Sequence, residues 1–106
     1  MSVTRTYTVT VVSTDSGNKY YIDGNLQETL YLAESGTYKF DQSDSSNNNH
    51  PLRFSTTSNG NHSGGDEYTT GVTTNGTPGN SGAYTQIVVA DSAPTLYYYC
   101  TNHSGM

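Results

Sequence analysis

The chain is poor in several residue types that usually mark function. It has one cysteine, no tryptophan, three prolines and only four lysine or arginine residues against nine acidic ones. A single cysteine excludes an internal disulfide, a four-cysteine zinc site and a cysteine-ligated iron–sulfur cluster. It also excludes a dinuclear copper site built on two cysteines. The shortage of basic residues argues against a partner that presents a phosphate backbone, so no nucleic-acid partner is expected. No apolar run approaches the ~18 residues of a membrane span. No glycine-rich GxxxxGK[ST] loop occurs, which excludes a P-loop nucleotide site. The first residues show no signal-peptide pattern.

Aliphatic residues are also scarce. Ile, Leu, Val and Phe together number 16 of 106 residues, low enough to raise the question of disorder. Weak charge answers it. The net charge is −5 and charged residues are 12% of the chain, so self-repulsion is small. What is abundant is Thr (17), Ser (13), Gly (11), Asn (10) and Tyr (10), the composition of strands joined by polar turns.

The apolar residues alternate. Val3, Tyr7, Val9 and Val11 share one parity, with Thr4, Thr6, Thr8 and Thr10 on the other, which predicts a half-buried strand. Further strands are predicted over 19–23, 29–33, 37–41, 52–55, 67–74, 83–90 and 95–100. The segments 42–49, 57–66 and 75–82 are predicted as loops. No stretch carries a helical period. About eight short strands in one domain spanning 1–106 imply an all-β Greek-key sandwich or barrel with no substantial helix.

Four side chains stand out. Cys100 shares parity with Leu96 and Tyr98 on the last strand, and His50 shares parity with Leu52 and Phe54, so both are expected to point inward. His103 and Met106 follow Cys100 in a C-x-x-H-x-x-M pattern. One thiolate, two imidazoles and a thioether suit a single copper ion in a trigonal His₂Cys arrangement with a weak axial sulfur. Zinc accepts the same thiolate and imidazoles. His62, in the loop Asn59-Gly60-Asn61-His62-Ser63-Gly64, reads as an ordinary loop histidine. Tyr97 and Tyr99 are expected to face outward. The triplets at 61–63, 75–77 and 102–104 match glycosylation sequons, as chance alone predicts in so Asn- and Ser-rich a chain.

The segment Tyr98-Tyr99-Cys100-Thr101-Asn102-His103-Ser104-Gly105-Met106, taken with Asn49-His50-Pro51, resembles the cupredoxin family, especially its small plastocyanin-like and amicyanin-like members. The resemblance implies a Greek-key β-sandwich holding one type 1 copper ion. It implies His50, Cys100, His103 and Met106 as ligands, with His103 nearest the surface. It further implies electron transfer rather than catalysis, a redox partner protein, a monomer, and a periplasmic or extracellular location.

The chain departs from the family pattern in three places. Pro51 stands where Asn is common and brings no N–H, so a supporting hydrogen bond should be missing and the potential or spectrum perturbed. Ser104 replaces a common proline, which should loosen the loop. The sequence stops at Met106 where a final strand usually follows, so Met106 is expected to be poorly anchored, and the stop reads as a domain cut from a longer protein. A looser likeness, in 38–44 and 50–54, is to cupredoxin-like modules of phage virions and bacterial surface proteins. It implies an alternative: a structural or adhesive module of a virion or cell surface with a vestigial or purely structural metal site.

Overall fold

The computed structural model describes residues 3–106. Among them are nine strands: β1 (Arg5–Thr14), β2 (Gly17–Ile22), β3 (Asn25–Leu26), β4 (Thr37–Asp41), β5 (Leu52–Ser55), β6 (Glu67–Tyr68), β7 (Val72–Asn75), β8 (Tyr84–Val88) and β9 (Tyr97–Cys100). Two single turns of 3₁₀ helix, Ser45–Asn47 and Gly60–Ser63, interrupt the loops. The protein is all-β, as its alternating sequence predicts. The strands form one sheet of six, in the order β3-β2-β1-β4-β8-β7, and one of three, β6-β5-β9. Strands β1 and β4 run parallel, and the other paired strands are antiparallel.

The two sheets share one core. The large sheet contributes Tyr7 and Val9 from β1, Tyr20 and Ile22 from β2, Tyr38 and Phe40 from β4, and Ile87 from β8. The small sheet contributes Leu52, Phe54 and Cys100, and Met106 joins them. Phe40 and Phe54 meet edge to face across the interface, with ring centroids 5.4 Å apart. Tyrosines thus complete a core that the scarce aliphatic residues could not fill. Their wide rings bury much area for each residue ordered.

Several strand expectations need correction. Residues 29–33 join no ladder. Leu30 and Leu32 still pack on the core, but the ladder of β2 is taken up by β3 and the turn at Gln27. The expected strand 67–74 is two strands in different sheets. β6 pairs with β5 and β7 with β8, and the chain crosses between them at Gly71, which sits at φ 72 with the Val88 carbonyl against the place a Cβ would take. Tyr99 is buried rather than outward, whereas Tyr97 is exposed. Val3 is exposed too. No helix of the described residues is long and apolar enough to cross a membrane.

Candidate metal centre

The centre lies where β5 begins and β9 ends. Leu52 pairs directly with Cys100, and Thr101 N–H donates to the Pro51 carbonyl at 3.3 Å. His50, two residues ahead of Leu52, therefore arrives beside Cys100 across a sequence separation of 50 residues. His103 folds back from the turn that follows β9. Nδ1 of His50 and Nδ1 of His103 each lie 3.7 Å from Cys100 Sγ. The three donor atoms all fall within 4.8 Å of one another. The imidazole rings of His50 and His103 are tilted by 43° with centroids 4.5 Å apart.

These spacings suit a shared ion. A metal ~2.3 Å from sulfur and ~2.0–2.1 Å from nitrogen holds the two about 3.6–3.8 Å apart when the angle lies between tetrahedral and trigonal. Cys100 is fully buried and His50 nearly so, while His103 is exposed. Burial, and secondarily the nearby His103, hold the His50 imidazole below its ordinary value of 6.5. A neutral ring with a free lone pair is the form that ligates.

A buried polar network fixes the His50 backbone. The His50 carbonyl accepts from Tyr20 Oη at 2.6 Å and from Gln42 Nε2 at 2.7 Å. Gln42 Nε2 also donates to Asn47 Oδ1 at 3.1 Å, and Gln42 Oε1 accepts from Leu52 N–H at 3.0 Å. Asn47 Nδ2 reaches the Val9 carbonyl at 2.7 Å. The His50 N–H donates to the Asn47 carbonyl at 2.8 Å. Gln42 and Asn47 are buried, and no buried side-chain polar atom of the described residues lacks a partner. Burial drives the Tyr20 hydroxyl far above its ordinary value, with the adjacent Cys100 adding to the effect, so it stays a donor.

Residues 42–49 read as a plain polar loop in the sequence, and the supporting roles of Gln42, Asn47 and Tyr20 had no visible signal there. Only the fold shows that this loop turns inward.

Met106 is buried and belongs to the same core cluster as Cys100 and Leu52. It is well anchored, contrary to expectation. Its main-chain oxygen accepts from Tyr20 N–H at 3.2 Å and from Gln27 Nε2 at 2.9 Å. The Gly105 carbonyl before it accepts from Lys19 Nζ at 2.6 Å. The loop that carries His103 is thus tied down by β2 and its turn, which compensates for the stiffness lost where Ser104 stands in place of a proline. Met106 also lines a cavity of about 730 Å³ that opens between residues 27–34 and 93–98, away from the three donors.

His62 is more than a loop residue. Its Nε2 lies 2.8 Å from the Cys100 carbonyl. It is not one of the three grouped donors. The sequence held one hint: Asn-His-Ser-Gly occurs twice, at 61–64 and 102–105.

No family model matches the chain, and no curated protein or solved structure matches it either.

Proposed function

We propose that this domain binds one copper ion, which Cys100, His50 and His103 would hold with Met106 as a weak further ligand, and passes single electrons to a redox partner protein. The observation that carries the reading is the placement of one thiol sulfur 3.7 Å from two imidazole nitrogens at the buried end of a β-sandwich. The reading agrees with the cupredoxin resemblance of residues 98–106. A copper ion held this way supplies a reversible one-electron change. The chain's part is to keep the donors fixed. The soft sulfur favours Cu(I) and the imidazoles accommodate Cu(II). A rigid compromise between the two keeps reorganisation small. His103, at the surface, offers the short route for an electron. Pro51 has no N–H to lend to the centre, which favours a potential or spectrum displaced from the family's usual one.

A second reading rests on the donor set itself. Two imidazoles and a thiolate also hold zinc, and a filled site would brace the β5–β9 junction in a structural module of a surface or virion protein.

One experiment separates them. Cu(II) is added to the metal-free protein, and the visible spectrum, the thermal melt and the reversible voltammetry are recorded. An intense thiolate-to-copper band, lost in Cys100→Ala, with reversible cycling supports electron transfer. Metal-dependent stabilisation without cycling supports the structural reading. No band at full loading, or a band that survives Cys100→Ala, overturns the copper proposal.

A further inference from the structure

The loop at 57–65 is docked onto the loop that carries His103, and it grips that loop on both sides of the histidine. On the near side is the Cys100 carbonyl. Backbone groups in an antiparallel ladder point alternately toward and away from the partner strand. Thr101 N–H bonds to Pro51, so the main chain of Cys100 turns away from β5. No other strand of the described residues pairs with β9. His62 Nε2 fills that place at 2.8 Å. Because the partner is a carbonyl, Nε2 carries the hydrogen and donates.

On the far side is Asn59. Its Nδ2 donates to Ser104 Oγ at 2.8 Å and its Oδ1 accepts from Gly105 N–H at 2.8 Å, so both ends of one amide are engaged. Asn59 adopts a left-handed backbone at φ 64, a conformation asparagine tolerates better than most residues. The docking is close. Tyr99 lies beneath the loop, and its ring is 2.6 Å from where a Cβ on Gly60 would stand. The His62 ring meets the Tyr99 ring edge-on, with centroids 6.3 Å apart.

We propose that His62 and Asn59 are positioning residues for the metal centre. They hold residue 100 and residues 104–105 so that His103, between them, keeps its Nδ1 at 3.7 Å from the sulfur before any ion arrives. This rests on the metal-binding reading above. A preset loop resists displacement when the ion changes charge, so the clamp sets the potential and the affinity without touching the metal.

The test compares His62→Gln, which keeps an N–H donor, with His62→Phe, which keeps a ring over Tyr99 and has no donor. His62→Ala and Asn59→Ala complete the set, and a thermal melt confirms that each is folded. In the Cu(II)-loaded proteins the glutamine variant is expected to match the wild type in charge-transfer band and reduction potential. The phenylalanine, His62→Ala and Asn59→Ala variants are expected to shift both, with roughly tenfold weaker copper binding. An unchanged band, potential and affinity in these three variants overturns the proposal.

If the wild type takes up no copper, the metal-binding reading fails by itself. The clamp is then judged in the metal-free protein by amide exchange at Gly105. Asn59→Ala should speed that exchange by about two- to tenfold, the worth of one hydrogen bond, and an unchanged rate overturns the clamp.

Discussion

Leu52 and Cys100 face each other in the β5–β9 ladder, and this one pairing assembles the centre. It delivers His50 to Cys100 from half a chain away. The tight turn after Cys100 then needs only three residues to return His103 to the same sulfur. The strength of the arrangement rests on how firmly the backbone at His50 is held, which leads to the first expectation.

Gln42 supports three groups at once, whereas Tyr20 supplies one of two donors to the His50 carbonyl. Gln42→Ala should therefore cost about 2–4 kcal/mol, because it strands the Leu52 N–H and opens a buried space. Tyr20→Phe should cost about 1 kcal/mol. Urea unfolding measures both, and equal losses would contradict this ranking.

Two left-handed glycines in the docked loop should respond differently to the same change. Gly64 has open space around it at φ 83, so Gly64→Ala should cost about 1–2 kcal/mol from backbone strain alone. At Gly60 the added methyl meets the Tyr99 ring. Gly60→Ala should cost a further ~1–3 kcal/mol from overpacking and should weaken metal binding, since the loop must lift. Thermal melts and metal titration of the pair test this.

Acid should release the turn ahead of His50. The hydroxyl and the backbone N–H of Ser46 both bond to Asp44 and hold its carboxyl below the ordinary 3.8. The folded value is the lower one, so the ionised form stabilises the fold. That contribution is complete above pH 3.8 and disappears as the pH falls through the folded value. Asp44→Asn should flatten the loss of stability below this pH, as read from urea midpoints across the acid range.

Alkali should reveal a late tyrosine. Burial, with the neighbouring Glu28, pushes Tyr98 up to about 12. Here the neutral phenol stabilises the fold. Its contribution is complete below the unfolded value of 10.0 and is lost as the pH rises toward 12. An ultraviolet titration should show a late-ionising fraction that diminishes in Tyr98→Phe. An unchanged late fraction would contradict the assignment to Tyr98, a half-buried ring whose hydroxyl donates to the Glu28 carbonyl.

The sequence by itself determined the β class and the chemistry of the donors. Alternation with period two is a local property, so Tyr7 and Val9 on β1, and Leu52 and Phe54 on β5, declared their buried faces. The parity of His50 with Leu52, and the spacing of Cys100, His103 and Met106, are local too. Tertiary structure decided the rest. Leu30 and Leu32 have a strand's pattern but no ladder, because pairing depends on which edge is already occupied. Tyr99 has an outward parity yet lies buried, because the 57–65 loop covers that face. Gln42 and Asn47 look like solvated loop residues until Tyr20 and Val9, from distant strands, supply their partners. His62 meets Cys100 only through that same docking. A side chain's kind and facing follow from its near neighbours. Its partners follow from register and docking, which join segments tens of residues apart.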